Sequence, residues 1–324
     1  MKKLAVAAII LASLAIAGEA FIFATRKTTS EEVHTQAIRA GYHIYAPSIP
    51  DTLFFCGERV PLNLYYVREG LDRELVSNMY FQSSTLFYIK RAARFFPTIE
   101  QILREEGVPE DMKYLCVIES GLQCVTSPAG AGGYWQFMKG TGQKYGLEIG
   151  DDIDMRNHLE KSTHAACRYL KDLKARFGNW TSAAAAYNCG ENGLDKRLSG
   201  QRQESYYDLL LNQETQRYVY RILAVKLILQ HPQDYGFYVR RCDTYPEVPT
   251  LDIPLTGQNI DLVQFSVENG TTYKMLRTLN PWLTSNTLKN KGGKNYTVRI
   301  PDKKGTEYNT IVRGKHDTTL IKNI

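Results

Sequence analysis

The spacing of apolar residues predicts a helical domain over much of the chain. Between positions 86 and 230 apolar side chains recur at steps of three and four residues, which is the period of one face of an α-helix. Ala166, Leu170, Leu173 and Phe177 mark one such helix, and a longer one runs from Glu214 to Leu229. The fold class predicted from this pattern is mainly α.

Proline and glycine predict where several helices end. One helix is expected to stop at Phe96 because Pro97 follows, and Ser120-Gly121 closes the helix that carries Glu119. The stretch from Cys124 to Gly133 is rich in small residues and is predicted to be a loop.

The composition changes after Pro232. Three prolines predict a linker-like stretch, namely Pro246, Pro249 and Pro254. Two helical pieces follow, Asp261 to Glu268 and Thr272 to Leu279, and then a strand, Tyr296 to Ile300. This pattern indicates a small α+β C-terminal unit with a loose polar tail after it.

The N-terminus has the pattern of an export signal. Lys2 and Lys3 precede an apolar run from Leu4 to Ala17, and small residues follow, with Ala24 as a cleavage point. The run is shorter than the roughly 20 residues of a membrane span. If the apolar segment continues through Phe21–Phe23, an uncleaved N-terminal anchor is the alternative. No cysteine follows, so a lipoprotein signal is not expected.

These patterns divide the chain into five segments. They are a signal or anchor (1–25), a linker with an N-terminal extension (26–85), the helical domain (86–235), the α+β unit (236–302) and a polar tail (303–324).

Charge and the spacing of cysteines and histidines limit which partners and cofactors are expected. The net charge is +6, but lysine and arginine are spread along the chain, so no nucleic-acid partner is expected. A mild positive balance suits solubility, or association with a membrane surface or an anionic polymer. The six cysteines and six histidines match no metal-binding spacing, and no metal or cofactor is predicted.

Glu119 is the leading candidate for a catalytic residue. It lies at the end of an apolar helix, beside Val117 and Ile118, and a glycine-rich loop with the cluster Tyr134–Phe137 follows. Apolar surroundings raise a carboxyl pKa, so such a group can donate a proton near neutral pH. The alternative is a solvent-facing or salt-bridged glutamate.

Four blocks in order strengthen this interpretation. They are Glu119-Ser120, the stretch from Ser127 to Met138, Ala186-Tyr187-Asn188-Cys189-Gly190, and Glu214-Thr215-Gln216-Arg217-Tyr218-Val219. Together they resemble family 1 lytic transglycosylases of the membrane-bound lytic murein transglycosylase D type. Tyr134, Lys139 and Cys189 depart from the family pattern, which has Leu, Pro and Ala there.

The resemblance implies a goose-type lysozyme-like fold and a single acid–base residue. Glu119 would protonate the oxygen between N-acetylmuramic acid and N-acetylglucosamine and then take a proton from the muramoyl C6 hydroxyl, giving a 1,6-anhydro product. No second carboxylate is needed, and the acidic cluster Asp151, Asp152 and Asp154 is interpreted as structural.

The resemblance also assigns supporting residues. The substrate-binding positions would be Ser127, Tyr134, Gln136, Met138, Tyr187 and Asn188, and the supporting positions Ser120, Glu214 and Tyr218. Tyr187 would place its hydroxyl near the acid, whereas Trp135 is interpreted as a core residue.

The C-terminal unit resembles the second half of a LysM glycan-binding module. Leu279–Leu283 and Tyr296–Pro301 carry the likeness, whereas the opening strand is not evident from the sequence. The resemblance implies glycan strands of peptidoglycan as partner, and the periplasm or cell envelope of a Gram-negative type cell as location, with membrane association left open.

Two alternative functions and one disulfide remain as hypotheses. The protein could be a hydrolytic muramidase or chitinase, or a non-catalytic glycan-binding protein. A Cys56–Cys242 bridge is ranked first among disulfides, because both cysteines flank the helical domain, with Cys116–Cys124 as another pairing. Cys116, Cys167 and Cys189 are interpreted as small apolar residues of the core.

Overall fold

The computed structural model describes residues 29–41, 43–308 and 318–324. The predicted signal or anchor, including Ala24, and part of the predicted tail lie outside the described residues. Within the described ranges, no helix is both long enough and apolar enough to span a membrane.

Helices form most of the described structure. They are α1 (Ser30–Ala40), α2 (Tyr65–Tyr80), α3 (Gln82–Glu105), α4 (Lys113–Ser120), α5 (Lys139–Lys144), α6 (Leu159–Phe177), α7 (Trp180–Cys189), α8 (Glu191–Gln201), α9 (Gln213–Gln230), α10 (Leu262–Glu268) and α11 (Tyr273–Leu279). Short 3₁₀ turns connect several of them, at Glu110–Met112, Met155–Asn157, Tyr206–Asp208, Pro232–Tyr235 and Arg241–Asp243. The mainly α fold with a small α+β C-terminal unit is confirmed.

Helix α9 lies at the centre of the helical domain. The side chain of Asn212 accepts a hydrogen bond from the Thr215 backbone and begins the helix. Nearly every residue from Tyr218 to Leu229 is buried, and the helix packs against α2, α4 and α7. A helix that is apolar on all sides belongs in a core, so α9 is the support for the elements around it.

Helix α2 was missed by the sequence analysis, which placed short apolar pieces in residues 50–85. Its buried residues Val67, Leu71, Leu75 and Met79 follow steps of four, and they pack on α9. The division at residues 85 and 86 falls inside α3 and stays a prediction.

The expected helix end before Pro97 is wrong. Helix α3 continues through Pro97 to Glu105. A proline inside a helix costs roughly 3 kcal/mol. The apolar stripe of α3 stays buried on both sides of it, at Ile89, Ala92, Phe96 and Ile99. Tertiary packing of that stripe offsets the local cost.

The C-terminal unit contains the opening strand that the sequence did not reveal. Strand β3 (Thr250–Leu255) pairs antiparallel with β6 (Tyr296–Pro301), with Leu251 opposite Ile300. The remaining strands are short: β1 (Phe54–Phe55) pairs with β2 (Glu58–Arg59), and β4 (Ile260–Asp261) with β5 (Thr287–Leu288). Pro254 lies within β3, so the part of the predicted linker-like stretch from Thr250 onward is a strand instead.

The C-terminal unit is fixed to the helical domain by backbone hydrogen bonds. The Asp154 amide donates to the Trp282 carbonyl at 2.8 Å, and the Thr284 amide donates to the Asp152 carbonyl at 2.9 Å. Trp282 itself is buried and stacks against His158. The two units therefore form one packed structure rather than separate modules.

The end of the chain is ordered against the helical domain. The Ile321 amide donates to the Val239 carbonyl at 2.9 Å, and the Ile324 amide donates to Leu229 at 3.1 Å. The expectation of a loose tail is therefore wrong for residues 318–324, because Leu320 and Ile321 are buried apolar side chains.

Candidate active site

Glu119 occupies the last turn of α4, a short helix that is buried on almost every side. Gly121 ends the helix in the left-handed region, with φ of 61°, and its amide donates to the Val117 carbonyl. Ser120 donates its hydroxyl to the Cys116 carbonyl and accepts from the Leu122 amide. These bonds fix the direction in which the helix presents the Glu119 carboxyl.

Tyr218 is the direct partner of the Glu119 carboxyl. Its hydroxyl, on central helix α9, donates a hydrogen bond to Glu119 Oε1. Burial raises the pKa of Glu119 to about 7, and the neighbouring Glu214 adds to the rise, whereas Tyr218 and Arg221 oppose it. Glu119 is thus a carboxyl that exchanges its proton near neutral pH, the property needed by a group that serves as acid and then as base.

Arg221 is a member of this site that the sequence analysis missed. Its Nη2 donates to the Ile118 carbonyl at 3.1 Å, and its charge favours the ionised form of Glu119. It follows Tyr218 by three residues on α9, so both side chains lie on one helix face. That spacing was the signal available in the sequence.

Gln136 holds the loop that follows α4. It has a positive φ of 48°, which is rare outside glycine, and its Nε2 donates to the Val125 carbonyl at 2.9 Å and to the Gly133 carbonyl at 2.8 Å. Such strain persists only where the surroundings impose it, and it is concentrated at functional sites. The Gln136 side chain is half-buried, with its Oε1 not engaged by these bonds.

Arg156 fixes the loop that follows α4 through hydrogen bonds to two of its backbone carbonyls. Asp154 pairs with its guanidinium at 2.7 Å, and Nη1 donates to the carbonyls of Gly130 and Phe137. A side chain at Gly133 would collide with the Arg156 backbone, so only glycine fits there. Asp154 acts through Arg156 and is not placed beside Glu119, in line with its structural interpretation.

The third and fourth blocks meet where α7 ends and α9 begins. Asn188 Oδ1 accepts from the Thr215 hydroxyl at 2.9 Å, and its Nδ2 donates to Glu214 Oε1 at 3.3 Å. The Tyr187 hydroxyl donates to the Trp135 carbonyl at 2.7 Å. Trp135 is fully buried, which confirms its interpretation as a core residue.

Ser127 and Met138, the two remaining substrate-binding candidates, lie near the start and at the end of the loop that follows α4. The Ser127 hydroxyl accepts from the Ala131 amide at 3.1 Å and closes a tight turn. Met138 precedes α5, and its side chain is exposed. Their contact with a substrate stays a prediction.

Each of the two units matches a known protein domain. Residues 97–210 match the transglycosylase SLT domain, and residues 252–304 match the soluble lytic transglycosylase C-terminal LysM-like domain. The chain contains a transglycosylase SLT domain. Glu119, Gln136 and Asn188 all lie inside it.

Two curated relatives match over different lengths. Membrane-bound lytic murein transglycosylase D of Escherichia coli strain K12 is 29% identical over 243 residues, which are 73% of this chain and 52% of the relative. A putative tributyltin chloride resistance protein of Alteromonas sp. is 29% identical over 114 residues, 34% of this chain and 55% of the relative. The chain thus spans about half the length of these relatives.

Tyr134 lies on the side of the SLT domain that faces the C-terminal unit. Its ring is buried against Phe95, with 5.3 Å between centroids, and it lines a cleft between the two units. Its carbonyl accepts from the Cys116 thiol. Its predicted contact with substrate is untested.

The predicted Cys56–Cys242 disulfide is not formed. All six cysteines lie in the described part of the chain, and all are free. The Cys56 amide donates to Asp111 at the helical core, whereas Cys242 lies in a 3₁₀ turn beside Asp243. Tertiary packing gives the two thiols different neighbours. Cys116 and Cys167 are buried and Cys189 is half-buried, as expected for small apolar residues.

No group of three or more metal-ligating side chains is placed to hold an ion among the residues that the structure describes.

Proposed function

We propose that this protein is a murein lytic transglycosylase that cleaves the β-1,4 bond between N-acetylmuramic acid and N-acetylglucosamine. The observation that carries the proposal is the buried Glu119 carboxyl, with its pKa near 7 and its hydrogen bond from Tyr218, inside an SLT domain. The related transglycosylase D of E. coli supports the same substrate.

In this mechanism Glu119 begins protonated and gives its proton to the glycosidic oxygen as the bond to the muramoyl C1 breaks. The carboxylate that remains is stabilised by the Tyr218 hydroxyl and the Arg221 guanidinium. It then removes the proton from the muramoyl C6 hydroxyl, whose oxygen bonds to C1. The proton gained equals the proton lost, no water is consumed, and the product is 1,6-anhydro-N-acetylmuramic acid.

The loop after α4 and the end of α7 would hold the sugar. The Gln136 Oε1 can accept a hydrogen bond from an N-acetyl N–H, and Ser127 and Met138 flank it. Asn188, braced by Thr215 and Glu214, would form the other wall. Tyr187 would support the site through the Trp135 backbone.

Export and binding to the cell wall complete the proposal. The N-terminal sequence pattern supports export to the periplasm or cell envelope, with the segment limits predicted above, and the relative's name supports membrane association. The LysM-like domain would add affinity for peptidoglycan glycan strands.

A hydrolytic muramidase is the second candidate, because Glu214 lies close enough to raise the Glu119 pKa. A second carboxylate can direct water at C1 in such enzymes. Against this candidate, Glu214 accepts a hydrogen bond from Asn188, which gives it a structural role rather than that of a base for water.

Digestion of purified sacculi in H₂¹⁸O separates these functions. A lyase gives anhydro ends without ¹⁸O, and Glu214→Gln should retain most activity while Glu119→Gln loses roughly 10²–10⁴-fold. Reducing ends that carry ¹⁸O, together with loss of activity in Glu214→Gln, would establish hydrolysis. Absence of any cleavage would favour a binding protein.

A further inference from the structure

One face of helix α3 runs from the end of the helix that carries Glu119 to the cleft between the two units. Phe87, Arg91, Arg94, Phe95 and Thr98 follow steps of three and four residues, so they share a face of the helix. Lys90 lies next to this face. We call Lys90, Arg91 and Arg94 the basic face of α3.

The first end of the basic face touches the helix that carries Glu119. Arg91 Nη1 donates to the Gly121 carbonyl at 3.1 Å, only two residues after Glu119. The Arg91 guanidinium also lies 5.0 Å from the ring centre of Phe87, whose side chain is exposed. Arg91 is therefore held in place beside the catalytic helix by a backbone carbonyl and an aromatic ring.

The second end of the basic face opens into the cleft between the units. Arg94 Nε donates to the Pro246 carbonyl at 2.9 Å, and both Arg94 and Lys90 lie over the ring of Tyr245. Arg94, Phe95 and Thr98 line the cleft, which has a volume of about 810 Å³. Its opposite wall comes from the C-terminal unit and includes Trp282.

In the described part of the chain, none of the three cations of the basic face forms an ion pair within 4 Å, and the carboxylates that line the cleft come from Glu160, Glu247 and Asp252. On the same helix Arg104 pairs with Glu110 at 2.7 Å, which shows the usual arrangement. Partial burial lowers the pKa of Arg91 and Arg94. Their carbonyl and ring contacts leave the positive charge without a neutralising carboxylate, and an anionic ligand would supply one.

We propose that the basic face of α3 binds the carboxylates of the peptide attached to the muramoyl residue that Glu119 cleaves. This inference rests on the proposed function. A guanidinium that is already fixed through one N–H still offers a planar pair of donors, which matches a carboxylate. The face starts beside the helix that carries Glu119 and ends at the cleft, so a peptide that branches from the glycan would meet Arg91 first and Arg94 next.

The test compares glycan strands that carry peptides with strands from which an amidase has removed them. The measured quantity is kcat/KM for the peptide-bearing strands divided by kcat/KM for the stripped strands. Each kcat/KM is obtained from the rate at which anhydro ends form. In Arg91→Gln/Arg94→Gln this ratio is expected to fall about tenfold below the wild-type ratio. In Arg104→Gln, the matched control on the same helix, the ratio should stay within about twofold of wild type.

Ionic strength gives a second measurement. The wild-type preference for peptide-bearing strands should weaken as salt rises, and the preference that remains in the double variant should not. Should the double variant fail to fold, the single variants Arg91→Gln and Arg94→Gln replace it, each with an expected loss of about threefold.

An unchanged ratio in folded variants, including an equal loss on both substrates, would overturn the proposal while leaving the transglycosylase function intact. If the wild-type protein forms no anhydro ends from either substrate, the proposed function itself fails.

Discussion

Replacing Glu119 by glutamine is expected to stabilise the protein at alkaline pH and to have little effect at acidic pH. Burial raises the pKa of Glu119 to about 7, against an ordinary value of 4.5. At roughly 1.4 kcal/mol per pH unit, this difference corresponds to about 3 kcal/mol. Glutamine keeps the shape of the side chain and still accepts the hydrogen bond from Tyr218, but it carries no charge.

The sign follows from the order of the two titrations. Below about pH 4 the carboxyl is protonated in both the folded and the unfolded chain. As the pH rises to 7 the unfolded chain loses the proton first, so the folded state loses relative stability. Above pH 7 the folded protein carries a buried charge, and the stability that the proton provided is gone.

Urea unfolding followed by tryptophan fluorescence at pH 4, 6 and 8 measures this effect. The free energy of unfolding of Glu119→Gln minus that of wild type should increase by up to about 3 kcal/mol from pH 4 to pH 8. Glu105→Gln, at an exposed position on α3, is the control and should differ from wild type by less than about 0.5 kcal/mol at each pH. A Glu119→Gln difference that does not change with pH would refute the reasoning about burial.

Three further changes test other parts of the structure. Tyr218→Phe removes the hydroxyl that lowers the pKa of Glu119, so the alkaline limb of the pH–rate profile should move to higher pH, and activity should fall roughly 10–100-fold; an unmoved limb would count against the hydrogen bond. Gly133→Ala should abolish activity because its Cβ has no room beside the Arg156 backbone, whereas Gly130→Ala, which has a similar positive φ but open space around it, should lose clearly less; equal activities in a murein digestion assay would contradict the packing. Trp282→Ala should cost about 3–5 kcal/mol of stability in a urea titration, and a loss below about 1 kcal/mol would show that the two units are weakly joined.

Local patterns in the sequence were sufficient to predict most helices and the residue that we propose to be catalytic. The apolar spacing of α6 and α9 depends only on residues close in sequence, so α9 was predicted to within one residue at both ends and α6 at its end, Phe177, although not at its start, Leu159. Glu119 was identified from its apolar helix and the motif around it, and the structure adds the burial that raises its pKa.

Other features depend on contacts between residues far apart in the chain. Helix α3 passes through Pro97 because the buried stripe on either side of it packs against other helices, and that stripe outweighs local propensity. Strand β3 exists because β6, more than forty residues later, pairs with it. Neither partner is visible in a local window of sequence.

The residues around the site divide in the same way, into those that sequence motifs predict and those that only long-range contacts bring together. Sequence motifs predicted the groups that we propose carry the chemistry, since their residue types and order are fixed along the chain. Only the tertiary structure brought Tyr218 and Arg221 of α9 to Glu119 of α4, and Arg91 of α3 to Gly121. Hydrogen bonds act over about 3 Å and are independent of sequence separation, so these partners were decided by how the helices pack.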